Sequence, residues 1–150
     1  MSFNPAEIAL HGRHLIEASA GTGKTYSIAN MFLRFLLEPH PSHNNQQPLT
    51  IDQILVVTFT NAATDELRGR IRSKIEQALQ YFRGGCCDDE FIKQYSAEGF
   101  NVDDAKRVAC ARLHNALLLV DDAAIFTIHG FAARAMQMFL FETGALANAE

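Results

Sequence analysis

Three stretches of the chain repeat apolar residues every three or four positions, and a fourth stretch is apolar along most of its length. This spacing is typical of an amphipathic helix that packs one face into a core. The pattern therefore predicts four helices. Their apolar positions are Ile28, Phe32, Phe35 and Leu36 in the first, Ala63, Leu67, Ile71, Ile75, Ala78 and Phe82 in the second, Ala105, Val108, Leu113, Ala116 and Val120 in the third, and Phe131 to Phe141 in the last.

Short apolar and β-branched runs lie between the predicted helices. Ile54 to Thr58 and Ile125 to Ile128 predict strands, and a third run, His14 to Ala18, predicts a strand before the first helix. Because strands that alternate with helices need crossover connections, we expect a parallel sheet and an α/β fold. Prolines between Glu38 and Pro41 end the first helix, and the pair Gly84–Gly85 ends the second.

The composition is that of a soluble globular chain. Its 150 residues are 48% hydrophobic and 20% charged, which excludes a disordered or fibrous protein. No apolar run reaches the length of about 18–20 residues that a membrane span requires. The N-terminus lacks the basic and apolar regions of a secretory signal, so we expect a cytoplasmic protein.

Cysteine and histidine usage indicates neither a disulfide framework nor a metal site. The odd count of three cysteines, Cys86, Cys87 and Cys110, fits no disulfide or zinc pattern, so we expect reduced thiols. His40 and His43 stand in a proline-rich loop without acidic or thiol neighbours, which argues against a metal centre there.

Charge is unevenly distributed, although the formal net charge is only −4. The second helix, from Asn61 to Arg83, carries five cations and three acids. The following segment, residues 84–104, carries six acids and one cation, and its part from Cys86 to Asn101 is the least periodic of the chain. The pattern fits either a nucleic-acid surface beside a variable acidic insert or two solvated faces.

A glycine-rich turn leads into the first predicted helix and resembles a phosphate-binding loop. Its glycines allow backbone N–H groups to approach phosphate oxygens at a helix N-terminus. Lys24 then reaches the β- and γ-phosphates, and the Thr25 hydroxyl binds Mg²⁺. Ala18 stands where the general pattern has glycine, and a turn that binds nothing is the alternative. The predicted nucleotide site is Ala18, Ser19, Ala20, Gly21, Thr22, Gly23, Lys24 and Thr25.

Polar and aromatic residues follow both predicted strands. Phe59, Thr60 and Asn61 come after the first, and His129 follows the second. Ligands bind at the carboxyl ends of parallel strands, where an aromatic ring can stack on a base. The alternative is structural: a helix cap at position 60 or 61 and a core phenylalanine. Asp121–Asp122 imitates the acidic pair that holds Mg²⁺ in P-loop enzymes, but helical spacing before it predicts a helix end.

Together these segments resemble superfamily 1 helicases of the UvrD/Rep type. Leu15 to Thr25 is similar to motif I of that family, Val56 to Arg72 to motif Ia, and Phe126 to Phe131 to motif Ib. The family accepts alanine at position 18. The resemblance implies a P-loop, RecA-like parallel sheet with flanking helices, of which residues 1–150 form the first part of helicase domain 1A, with residues 84–104 as an insert.

The resemblance also implies a function. It indicates an ATP- and Mg²⁺-dependent motor that moves 3′→5′ on DNA, with Lys24 and Thr25 as catalytic contacts. Phe59, Thr60, Asn61 and His129 become single-stranded DNA contacts, and Arg68 is either a further contact or structural. The residues of motifs I and Ib resemble most those of one branch of the family. Its members are helicase and exonuclease subunits in double-strand-break repair and recombination. That branch implies two further protein subunits as partners.

The chain contains no D-E-x-Q-D-like segment, which the family uses to bind Mg²⁺ and to activate the attacking water. We therefore expect these 150 residues alone to bind nucleotide without turning it over. Another helicase of the same family, a small P-loop kinase and a non-catalytic single-stranded-DNA-binding module remain alternatives. A kinase needs a lid rich in arginine. After Asp122 these 150 residues contain a single arginine, Arg134.

Overall fold

The computed structural model describes residues 4–17, 23–41, 46–100 and 102–143. Within these ranges the chain forms five α-helices and a short parallel sheet, so the predicted α/β class is confirmed. Two 3₁₀ turns, Ile51–Gln53 and Val120–Asp122, precede the two strands. The elements in chain order are α1 (Lys24–Leu37), β1 (Val56–Thr58), α2 (Asn61–Phe82), α3 (Glu90–Gly99), α4 (Asp103–Leu119), β2 (Ile125–Thr127) and α5 (Ile128–Thr143).

The two strands lie side by side and run in the same direction. Val56 pairs with Ile125 and Thr58 with Thr127, so both strands end at the same edge of the sheet. Three helices separate the strands along the chain, which is the crossover that a parallel pair requires. The residues that follow β1 and β2 are therefore neighbours.

The long helix α2 organises the core. It packs against α1, α3, α4 and both strands. Ile71, Ile75 and Ala78 on its apolar face are at most 1% exposed. The helix ends at Phe82, and Gly84 follows with a φ of +90°, a backbone conformation that glycine adopts without strain. The predicted helix, its face and its stop are confirmed.

Two predictions about strands are corrected. The run from His14 to Ala18 was expected to form a strand, but residues 14–17 have no regular structure and Leu15 is 86% exposed. An extended run becomes a strand only when a neighbouring strand satisfies its backbone groups. Ile128, expected at the end of the second strand, is the first residue of α5.

A helix forms where none was predicted, within the acidic segment 84–104. Asp89 caps α3 by accepting a hydrogen bond from the Ile92 N–H at 3.1 Å. Phe91 and Tyr95, one turn apart, stack with ring centroids 5.5 Å apart and are buried against the core. The helix is ten residues long, too short for its spacing to stand out from the polar residues around it.

The last helix, α5, was predicted from its apolar composition and is present, but it is not buried. Met136, Phe139 and Phe141 are each at least 65% exposed. No helix in the described ranges has the length and hydropathy needed to cross a membrane.

Candidate functional site

The N-terminus of α1 is the best-defined part of the predicted nucleotide site. Gly23 precedes the helix with a φ of +86°, and its carbonyl accepts the Ser27 N–H at 2.8 Å. Lys24 is exposed and Thr25 is half-buried. Among the residues that the structure describes, no side chain caps this end, and the first turn holds no acidic residue. The N–H groups of this turn and the helix dipole therefore favour an anion there.

The remainder of the predicted loop, Ala18 to Thr22, lies outside the described residues. The roles expected for those five positions stay predictions. In the part of the chain that the structure describes, no side-chain hydrogen bond or ion pair connects Lys24 or Thr25 with the strand ends.

In the turn between β1 and α2, some residues hold the turn together and others are exposed to solvent. Thr60 caps α2: its Oγ1 accepts the Ala63 N–H at 3.1 Å. The hydroxyls of Thr58 and Thr64 share a hydrogen bond of 2.6 Å beneath this turn. Asn61 is exposed, and the Phe59 side chain is 86% exposed. Phe59 is therefore not a core residue, and its ring is free to stack on a flat ligand.

The second strand end is built in a similar way. Thr127 accepts the Gly130 N–H through its Oγ1 at 3.0 Å. His129 is the second residue of α5 and is exposed. Because Thr58 pairs with Thr127, the sheet register places Phe59 and His129 beyond neighbouring strand ends. The tertiary structure thus brings the predicted DNA contacts together along one edge.

Arg68 points into the fold instead of toward this edge. Its Nη2 donates to the Ile125 carbonyl at 3.2 Å, which ties α2 to β2. It also forms a loose ion pair of 3.8 Å with Asp65. Of the two roles that the sequence left open, the structural one fits this geometry.

The acidic pair Asp121–Asp122 belongs to the 3₁₀ turn that ends α4, as the helical spacing predicts. Asp121 accepts a hydrogen bond of 2.6 Å from Arg72. Among the described residues no group of histidine, cysteine and acidic side chains is arranged to hold a metal ion, and the three cysteines are free.

Sequence reasoning missed a cluster directly behind the first turn of α1. Lys74 donates to Asp89 Oδ2 at 2.5 Å, and these side chains are only 6% and 12% exposed. The Lys74 ammonium also lies 4.3 Å from the centroid of the Tyr26 ring, and the Tyr26 hydroxyl donates to Asp89 Oδ1 at 3.4 Å. We call these three residues the Tyr26–Lys74–Asp89 cluster.

Burial dominates the electrostatics of this cluster. It lowers the pKa of the Lys74 ammonium, although the Asp89 carboxylate opposes that change. Partial burial, reinforced by the charge on Asp89, raises the pKa of Tyr26. One sequence signal was available: Lys74 stands between Ile71 and Ala78 on the apolar face of α2.

Known proteins match this chain along nearly its whole length. The N-terminal domain of UvrD/REP helicases matches residues 3–149. The RecBCD enzyme subunit RecB of Escherichia coli K12 is 44% identical over 97% of the chain, which corresponds to 12% of that relative. RecB of Haemophilus influenzae is 38% identical over 98% of the chain and 12% of the relative. RecB of Chlamydia trachomatis is 37% identical over 86% of the chain and 12% of the relative. The chain thus spans about an eighth of their length.

Proposed function

The chain belongs to the UvrD/Rep helicase family, whose N-terminal domain it matches over residues 3–149, and we propose that it binds ATP with Mg²⁺ through a P-loop. One observation carries the proposal: a left-handed Gly23 opens a helix whose N-terminus, within the described ranges, has neither a capping side chain nor an acidic first turn. Lys24 and Thr25 are the next two residues. This arrangement suits the phosphates of a nucleotide.

Each residue of the site has a definite part in this proposal. The backbone of Ala18 to Gly23 surrounds the phosphates, and Lys24 neutralises their charge. The Thr25 hydroxyl and the phosphates hold Mg²⁺, which supplies charge neutralisation when it is bound. The parallel sheet is then the beginning of a RecA-like, P-loop domain, and residues 1–150 are the N-terminal part of an ATP-binding helicase domain.

The second part of the proposal concerns DNA. Single-stranded DNA lies along the edge where both strands end, with the exposed Phe59 ring stacked on a base. Asn61 and His129 contact the sugar-phosphate backbone. Thr60, whose side-chain oxygen caps α2, contributes through the turn that it holds.

The wider activity follows from the relatives, which are named as subunits of the RecBCD enzyme. We propose that the chain is part of a 3′→5′ DNA helicase and exonuclease subunit that acts in double-strand-break repair and recombination. RecC-like and RecD-like subunits are its partners, and it works in the cytoplasm. Since the chain has no D-E-x-Q-D-like segment, these 150 residues bind nucleotide without hydrolysing it.

Binding of a fluorescent ATP analogue with Mg²⁺ tests the nucleotide site. Lys24→Ala removes a charged contact to phosphate and weakens binding by roughly 10- to 150-fold. Lys106→Ala is the matched control, because Lys106 also lies in the first turn of a helix but follows the acidic Asp103 and Asp104. Equal affinities of both variants and the wild type contradict the proposal. If the wild type hydrolyses ATP in the presence of DNA and Lys24→Ala abolishes that activity, the proposed absence of turnover is wrong.

A non-catalytic single-stranded-DNA-binding module is a second candidate, favoured by the 86% exposure of Phe59. The two functions differ in their response to nucleotide. In a motor segment, ATP and Mg²⁺ change the affinity for a labelled oligonucleotide. A binding module retains the same oligonucleotide affinity with and without them.

A further inference from the structure

Asp89 connects three helices at a single carboxylate. Its Oδ1 accepts the Ile92 N–H at the start of α3 and the Tyr26 hydroxyl from the first turn of α1. Its Oδ2 accepts the Lys74 ammonium from α2. The first turn of α1 is therefore held from behind by a residue of the acidic segment 84–104.

Stability alone does not account well for this arrangement. Removing an ammonium and a carboxylate from water opposes folding, and a buried ion pair is frequently no better for stability than apolar side chains of the same size. Lys74 lies on a helix face where its neighbours Ile71, Ile75 and Ala78 are apolar. What the ion pair adds is direction, because it fixes Tyr26 through both its ring and its hydroxyl.

The acidic segment also reaches the other end of α1. The Tyr95 hydroxyl, on α3, donates to Glu38 Oε1 at 2.9 Å, and Glu38 in turn pairs with Arg34. Tyr26 and Glu38 are twelve residues apart, which corresponds to about 18 Å along a helix. The same segment thus contacts α1 at the end beside the phosphate loop and at the far end.

We propose that the Tyr26–Lys74–Asp89 cluster positions the first turn of α1 for nucleotide binding and so couples the acidic segment 84–104 to the phosphate site. The inference rests on the proposed nucleotide function. Lys24 and Tyr26 belong to the same helical turn, so a Tyr26 side chain held by Lys74 at its ring and by Asp89 at its hydroxyl sets the direction from which Lys24 leaves the backbone. The three residues act as positioning residues and do not touch the nucleotide.

The two ends of α1 provide matched variants. Asp89→Asn keeps an oxygen that can cap α3 but removes the charge that binds Lys74. Tyr26→Phe keeps the ring and removes only the hydroxyl. At the far end, Glu38→Gln and Tyr95→Phe make the corresponding changes away from the phosphate loop. Each variant is compared by affinity for a fluorescent ATP analogue with Mg²⁺, by urea unfolding, and by amide hydrogen exchange in α1.

The expected result is an effect confined to one end of the helix. Asp89→Asn weakens nucleotide binding about tenfold and speeds amide exchange at Ser27, whose N–H donates to the Gly23 carbonyl, whereas Glu38→Gln and Tyr95→Phe change affinity less than about twofold. If Asp89→Asn does not fold, Tyr26→Phe replaces it and weakens binding by about threefold. Equal losses of affinity from both ends, or unchanged amide exchange at Ser27, overturn the proposal.

A double variant separates positioning from general damage. If Asp89 acts through Lys24, then Asp89→Asn has no further effect on affinity in a Lys24→Ala background. Additive losses refute the coupling. If Lys24→Ala binds nucleotide as tightly as the wild type, the proposed function itself is refuted. The exchange data then decide whether the cluster still orders the first turn of α1.

Discussion

Truncating Phe59 to alanine separates a DNA contact from a contribution to folding. The side chain is 86% exposed, so folding removes little of its apolar area from solvent. A phenylalanine buries about 150–250 Å² when it is fully covered. The small covered remainder, at about 25 cal/mol per Å², is worth less than about 1 kcal/mol. Base stacking on an aromatic ring, in contrast, is worth about 1–3 kcal/mol, or roughly a 5- to 150-fold change in affinity.

Fluorescence anisotropy with a labelled single-stranded oligonucleotide measures the binding change, and urea unfolding measures stability. Phe141→Ala is the matched control, because that ring is 77% exposed on α5, away from the strand ends. We expect Phe59→Ala to weaken DNA binding while Phe141→Ala does not, with both variants nearly as stable as the wild type. Equal oligonucleotide affinity of the two variants would refute the assignment of Phe59 to the DNA surface.

Two further predictions concern stability. Burial, reinforced by the Glu38 carboxylate, raises the pKa of Tyr95, so the stability that this phenol contributes is complete below its unfolded pKa of 10.0 and is lost as the pH rises through the folded value. The advantage of the wild type over Tyr95→Phe, about 1–2 kcal/mol at neutral pH, should shrink above about pH 10 in urea titrations, and a constant difference argues against this. Thr60→Ala, which removes the cap bond to the Ala63 N–H, should lower the free energy of unfolding by about 1 kcal/mol, and Thr60→Ser should restore it. A stable Thr60→Ala variant that binds DNA less tightly would assign the hydroxyl to DNA instead.

The long helices were predictable because their signal is local. Along α2, positions such as Leu67, Ile71 and Ile75 repeat with a helical period, and the same positions are buried in the structure. The helix α3 escaped prediction because a short helix offers few turns for a period to develop. The cap bond from Ile92 to Asp89 and the Phe91–Tyr95 pair are both local in sequence. The core that buries the two rings is supplied by residues distant in sequence.

The site was only partly predictable. A motif gives the identity and spacing of residues, so Lys24 and Phe59 could be singled out from the sequence. It does not say which way a side chain faces. The structure separates exposed Phe59 from Arg68, whose guanidinium donates to the Ile125 carbonyl across the fold. It also joins Lys74 to Tyr26, residues that lie 48 positions apart in the chain.

The sequence by itself determined the α/β class, the extent of the main helices and the residues that carry the family resemblance, because each depends on neighbours in the chain. Tertiary structure alone decided that His14 to Glu17 form no strand, that α5 leaves its apolar side chains exposed, and that Asp89 lies behind the first turn of α1. The physical reason is the same in each case. A strand's pairing, a helix face's burial and a buried charge's partner come from residues distant in sequence, and only folding brings them into contact.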